Sequence, residues 1–267
     1  MTALDRAAIR SVQRPVHTLW SFLFVGPASA FAGELTINHT RLNPMALTVV
    51  AVTLSLISAG LFLQGHLVAL IAGAVLYQLS TLADALDGLV ARAKKGSGSV
   101  TALVLDHALD PWRLVLNVLA LAHGQYLRGG DEQIFFWVIL FFAIHFTDWV
   151  QPRTIFKLRQ AYGAVYQPRL GALDHWLLSA KSRFERRSLR VIFFSVHERE
   201  VCILLLAPLT GLVMEMLIMG TLLTAVFFIL RLRFDVALLK NQLINGADEY
   251  LGDTENKWEA GLPGAPK

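Results

Sequence analysis

Residues 82–111 read LADALDGLVARAKKGSGSVTALVLDHALDP, and they set four aspartates, Asp84, Asp87, Asp106 and Asp110, with Arg92, inside or at the edge of sequence apolar enough to span a bilayer. No other feature restricts the fold so sharply. Ionised groups at membrane depth are costly unless paired, metal-bound or wetted, so four of them so close together require a common explanation. Asp84 and Asp87 are three apart and Asp106 and Asp110 are four apart, so in helices each pair falls on one face. Two such helices would enclose one polar site, for which divalent cations held by oxygen ligands supply an explanation.

The rest of the chain provides the membrane. With 55% hydrophobic and only 16% charged residues over 267, and a mean hydropathy of +0.51, it is too apolar for a soluble domain of this size. About 20 apolar residues cross the hydrocarbon. Runs of that kind cover about residues 45–63, 67–91, 100–122, 134–150, 201–219 and 222–239, with Gly220-Thr221 as the last turn. The expected fold is therefore all-α, a polytopic membrane protein with six transmembrane helices. Lys and Arg gather before the first span, between spans two and three, between four and five, and after six, whereas the other connections hold only Arg128. The positive-inside rule then puts both termini, and the acidic ends of spans two and three, in the cytoplasm, as in a bacterial inner membrane. The net charge of +4 does not suggest nucleic acid, because the basic residues flank apolar segments; anionic membrane lipids are the better partner. The single cysteine, Cys202, excludes an internal disulfide framework.

Three segments stand apart from the spans. Residues 1–40 carry Arg6, Arg10 and Arg14 at spacing four ahead of Leu19-Trp20-Ser21-Phe22-Leu23-Phe24-Val25, the pattern of an N-terminal interfacial amphipathic helix. A signal peptide with Ala28-Ser29-Ala30 as its cleavage site competes with that reading. The connection 151–200 is too long for a plain loop, and its alternation of apolar residues with Lys181, Arg183, Arg186, Arg187 and Arg190 suits a surface helix on anionic lipid. A sharper reading assigns Arg153, Lys157 and Arg199, near the span ends, to a phosphate of an acceptor substrate. Residues 241–267 have neither periodicity nor apolar content and read as a flexible tail.

Asp84-x-x-Asp87-Gly88-x-x-Ala91-Arg92 followed by Asp106-x-x-x-Asp110 resembles the signature of the CDP-alcohol phosphotransferase family, D-x2-D-G-x2-A-R-x8-G-x3-D-x3-D. The chain departs from it by one extra residue between Arg92 and Asp106 and by Ala102 in place of the second glycine. A Pro-Asn-x-x-Thr element that often opens the family's first span is met by Pro44 and Thr48, with Met45 at the Asn position. The resemblance covers roughly residues 41–235, most closely 84–110, and membership would give the domain 41–240.

The resemblance implies an enzyme of phospholipid synthesis that moves a phosphoalcohol group from a CDP-alcohol to an acceptor hydroxyl and releases CMP. It further implies metal-ligand roles for Asp84, Asp87, Asp106 and Asp110, with Mg²⁺ or Mn²⁺, two ions, as the cofactor. Asp110 would also be the catalytic general base on the acceptor hydroxyl. Gly88, Ala91, Arg92 and Thr48 would serve the nucleotide, Arg92 by holding the diphosphate with a forked guanidinium. Tyr77, Ser80 and Thr81, earlier on the same face, would line the pocket. CDP-diacylglycerol with a small polar acceptor alcohol is the expected pair, a soluble CDP-alcohol with a lipid or glycan acceptor is the alternative, and a homodimer is compatible with either. An intramembrane aspartate pair also suits an ion-coupled transporter, but such a protein has no need of Gly88, Ala91 and Arg92 at these spacings. His107, His145, Asp148 and Glu215 are assigned no chemistry.

Overall fold

A computed structural model describes residues 18–40, 43–93, 100–161, 172 and 196–233; of residues 100–107, 151–161 and 196 it describes the backbone only. The described elements are all helical. A π-helical turn at Ser21–Val25 leads into α1 (Gly26–His39), followed by α2 (Pro44–Phe62), α3 (Leu67–Ala93), α4 (Val100–Gly129) and α5 (Gln133–Ala161). Then comes α6, built of Val196–Val201, a π-helical stretch Cys202–Leu206 and Ala207–Thr210, and finally α7 (Val213–Arg233). Among the described residues four helices, α2, α3, α5 over Gln133–Val150 and α7, are long and apolar enough to cross a membrane, the pattern of a multi-pass membrane protein. Large apolar side chains such as Leu56, Val68, Ile139 and Ile229 face outward along them. Lipid is as apolar as these groups, so association between the helices rests on close packing and hydrogen bonds.

That logic is visible where α2 meets α3. Asn43 caps α2 by accepting from the Ala46 amide at 2.7 Å, and Pro44 occupies the first turn, where its missing N–H costs nothing. The buried stripe of α2 then alternates small and hydroxylated residues: Thr48, Ala51, Ser55 and Ser58. Ser58 Oγ donates to Gly73 O at 2.8 Å, and Ser80 Oγ from α3 donates to Ala51 O at 2.7 Å. The turn joining the two helices needs Gly65 at φ +68°, and it lies so close to α4 that a Cβ on Gly65 would strike the Gly124 carbonyl, and one on Gly124 the Phe62 carbonyl. A core of Phe62, Leu70, Leu114, Val118, Phe141 and Leu204 fills the space between α2 to α6.

Two expectations change. The last turn is not at Gly220-Thr221: the chain reverses at Gly211, φ +75°, so the predicted fifth span is interrupted and α7 begins at Val213. Gly220 lies inside α7, where a Cβ would stand 3.4 Å from Ile203 and 3.5 Å from Cys202, so its small size serves the α6–α7 contact. Thr221 and Thr224 satisfy their hydroxyls within the helix, on Leu217 O and Gly220 O. The N-terminal region is also more than a surface strip, because Ser29, Ala30, Gly33 and Thr36 are buried and α1 packs against α3. Arg6, Arg10 and Arg14, the 94–99 connector, most of 162–195 and the tail 241–267 lie outside the described residues.

Candidate active site

Asp84 and Asp87 lie near the end of α3, and Asp110 lies on α4 one residue before Pro111, through which the helix continues. Together with Gly88, Arg92, Thr81 and Ala85, these three aspartates line a single cleft of about 250 Å³. Ser21, Val25, Gly26 and Ser29 from the N-terminal segment and His197 from α6 close it. The cleft therefore takes walls from four parts of the chain that the sequence places as far as 176 positions apart, from Ser21 to His197.

Each carboxylate is held differently. Asp87 is buried, and its Oδ2 accepts a 2.6 Å hydrogen bond from Thr48 Oγ1 of α2. Asp84 and Asp110, whose side chains are 27% and 49% exposed, both accept from one nitrogen: Arg113 Nη1 stands 2.7 Å from Asp84 Oδ1 and 3.1 Å from Asp110 Oδ1. The same arginine gives Nη2 to Ser80 Oγ at 2.8 Å, and Ser80 is fixed in turn on the Ala51 carbonyl. Asn117, one turn further along α4, bonds the Arg113 carbonyl at 2.8 Å and Ser55 Oγ at 2.7 Å. Arg92 folds over Gly88: a Cβ there would be 3.2 Å from Arg92 Nη1, so a side chain at position 88 would press on the guanidinium.

Of the pocket residues expected beside the aspartates, Thr81 lines the cleft, while Ser80 and Tyr77 are buried, and Ser80 serves Arg113. Ala91 lies on α3 next to Arg92. Asp106 lies on the described backbone of α4, one turn before Asp110, but its side chain is outside the described ones, as are those of Ala102, Arg153 and Lys157. Arg199 does not line the cleft; it is buried and bonded to Asp148 Oδ2 at 2.6 Å, with Arg231 Nη1 3.3 Å from Asp148 Oδ1. Asp148 thus ties α5 to α6 and α7.

Sequence reasoning passed over Arg113, Asn117 and His197. The first two had a signal: Arg113 is a cation within an apolar run, three residues after Asp110, and Asn117 follows four later on the same face. His197 had none, since only folding brings it to the cleft. Its Nδ1 stands 3.9 Å from Glu200 Oε2, beyond hydrogen-bond reach, and has no other hydrogen-bond partner. Burial lowers the basicity of the ring, but Glu200, with Glu198 and Asp84 further off, more than restores it, so His197 ends above its ordinary value.

In donor chemistry the cleft fits a hard divalent cation, because its acidic side chains offer carboxylate oxygens on two adjacent helices. Among the described side chains no three His, Cys, Asp or Glu converge closely enough to hold an ion, and Asp106 is not among them. Compared with models of protein families, the chain matches the one described as CDP-alcohol phosphatidyltransferase over residues 41–178, just over half its length. That span includes α2 to α5 and the four aspartates, but neither the N-terminal wall of the cleft nor His197. No curated protein matches the chain.

Proposed function

Because the chain belongs to the CDP-alcohol phosphatidyltransferase family, we propose that it transfers a phosphatidyl group from CDP-diacylglycerol to a small polar acceptor alcohol at the cleft between α3 and α4. As an enzyme of this family it moves a phosphoalcohol group from a CDP-alcohol and releases CMP. The single observation that carries the finer reading is the meeting of Asp84, Asp87, Gly88, Arg92 and Asp110 around one cleft of about 250 Å³. A donor with acyl chains is supported by the apolar border: Phe22, Leu23 and Phe24 are exposed between the cleft-lining Ser21 and Val25.

In this reading Arg92 binds the diphosphate, for which a planar fork of donors is suited, and Gly88 and Ala91 leave room for the nucleotide. Thr48 orients Asp87 through its 2.6 Å bond. The acceptor oxygen bonds to the phosphorus that carries the alcohol, the bond from that phosphorus to the bridging oxygen breaks, and that oxygen leaves with CMP. The acceptor's proton passes to the Asp110 carboxylate, the more exposed of the two that Arg113 holds. Asp84, Asp87, Asp106 and Asp110 would hold magnesium or manganese, two ions on the pattern of many phosphoryl-transfer sites. Such ions neutralise the charge on the transferred and leaving phosphates. Arg153 and Lys157 are the candidates for a phosphate on the acceptor; Arg199, committed to Asp148, is the weaker one. Helices α2 to α7 make six spans, with both termini and the cleft on the cytoplasmic side.

The test offers CDP-diacylglycerol and soluble CDP-alcohols to the purified chain with Mg²⁺ or Mn²⁺, against glycerol phosphate, inositol phosphate, serine and other acceptors, with mass spectrometry of the products. A phosphatidylated acceptor and stoichiometric CMP are expected, reduced at least about 100-fold in Asp84→Ala and Asp106→Ala. Full activity in either variant, or turnover of soluble donors alone, would remove this reading.

A further inference from the structure

The guanidinium of Arg113 sits directly between Asp84 and Asp110, two of the acidic side chains that line the cleft. It is buried, with a side chain 9% exposed, and one of its nitrogens is shared by carboxylates from two different helices. Its other terminal nitrogen is anchored from below through Ser80 to the backbone of α2, and its own carbonyl is tied through Asn117 to Ser55. Arg113 Nε has no hydrogen-bond partner, so the group is placed for Asp84, Asp110 and Ser80 and leaves one of its own donors unmet. A cation built only to staple α3 to α4 would need no second carboxylate at 49% exposure on the cleft; here both of the joined carboxylates open onto it.

We propose that Arg113 is a resident cation buried behind the cleft wall, a positioning residue that holds Asp84 and Asp110 together across α3 and α4 before any divalent ion arrives. It rests on the reading of these carboxylates as cation ligands. Without a counter-charge, two carboxylates sharing so small a space repel and draw the helices apart or take up a proton. With Arg113 between them, the helix pair assembles free of metal, and ion binding need only complete a site already formed. Removing the guanidinium transfers its task to the divalent ion, so that the stability of the variant comes to depend on metal more strongly than that of the native chain does.

The full-length chain, purified in detergent, is unfolded thermally in EDTA and in millimolar Mn²⁺, and Mn²⁺ binding is followed by electron paramagnetic resonance. Native protein is expected to gain in Mn²⁺ only the modest rise in midpoint that ion binding itself gives. Arg113→Gln should melt on the order of 10 °C lower in EDTA and regain most of that loss with Mn²⁺. Arg113→Lys, which keeps the charge without the fork, should fall between them. Adding Asp84→Asn to Arg113→Gln should relieve the loss in EDTA, because the unpaired charge is gone; a staple with no electrostatic part would show no such relief. An Arg113→Gln midpoint equal to native in EDTA, or a loss that neither Mn²⁺ nor Asp84→Asn restores, overturns the proposal. If Arg113→Gln is too unstable to purify, the same comparison is made with Arg113→Lys alone and with Asp84→Asn. Relief by Asp84→Asn with no Mn²⁺ bound by native protein would instead remove the cation-ligand reading while the charge role of Arg113 stands.

Discussion

Single hydroxyls and nitrogens decide how the aspartates of this cleft present themselves. Thr48 is the clearest case: its single Oγ1 proton goes to Asp87 Oδ2 at 2.6 Å, with the Pro44 carbonyl, 3.2 Å away, as the competing acceptor. Thr48→Val keeps the shape and deletes the donor, which leaves a buried carboxylate short of one partner. It should cost about 1–3 kcal/mol of stability. Metal-dependent CMP release should fall roughly 10- to 100-fold, with Thr48→Ser near native; titration of activity with Mn²⁺ in the three proteins measures this. His197 gives a second prediction, worked out from its charge. Burial lowers its basicity but Glu200 more than offsets this, so the ring holds its proton to higher pH than an ordinary histidine, and while protonated it adds a positive charge to the cleft wall, which favours an anionic diphosphate. That contribution is present below the raised value and lost as the pH climbs through it. KM for the CDP-alcohol should therefore rise in the native enzyme as the pH climbs through that raised value, and His197→Gln should have the higher KM below it and lack this rise. An unchanged KM profile in the variant would show that the ring faces no substrate. Asp84, Asp87 and Asp110 were legible in sequence because helical spacing alone puts them on shared faces. The partners Thr48 to Asp87 and His197 to the cleft were not, since no periodicity links residues 39 or more positions apart.

At the scale of elements, small residues do two different jobs that sequence writes in the same letters. Gly220-Thr221 looks like a turn and is a helix contact; Gly211, after Pro208 and Thr210, is the turn. The distinction rests on what lies opposite, Ile203 and Cys202 in the first case, and on a positive φ in the second. Likewise Ala28-Ser29-Ala30 has the composition of a cleavage site, yet Ser29 and Ala30 are buried where α1 packs on α3. Hydropathy marked where helices run but not which small residues face a neighbour, because glycine and alanine score alike on either face. The consequence at Gly220 is testable. Gly220→Leu would force a branched side chain into the space held by Ile203 and Cys202, and overpacking of this kind costs about 1–3 kcal/mol. Gly220→Ala should be tolerated much better, as its Cβ would meet neighbours at 3.4 Å and beyond. If the pair were instead a loop, both variants would melt at the native temperature.

For the whole molecule, the helices sort their polar features to opposite ends. The Gly65 turn rests on Gly124, and a Cβ at Gly211 would come within 3.8 Å of Leu67, so the α2–α3 and α6–α7 turns share one end with the later part of α4. The other end holds the cleft, with Arg92, Asp110 and His197, and the Arg231–Asp148–Arg199 cluster. Basic residues follow the same division: the connections at the turn end, 63–66, 130–132 and 211–212, hold no Lys or Arg, and Arg128 stands in the last turn of α4. Sequence could indicate this division from charge counts alone, and the packing of the turns supports it from an independent direction, though packing does not say on which side of a membrane the cleft opens. By the positive-inside rule we propose that the cleft opens to the cytoplasm. Two single-cysteine proteins in a Cys202→Ala background decide it. Asp131→Cys, in the turn after α4, should react with a membrane-impermeant maleimide added to intact cells, while Lys95→Cys, in the connector between the aspartate-bearing helices, should react only after the membrane is opened. The reverse pattern would put the cleft on the outer face, away from its nucleotide donor, and the enzyme would then require its CDP-alcohol to be delivered across the bilayer.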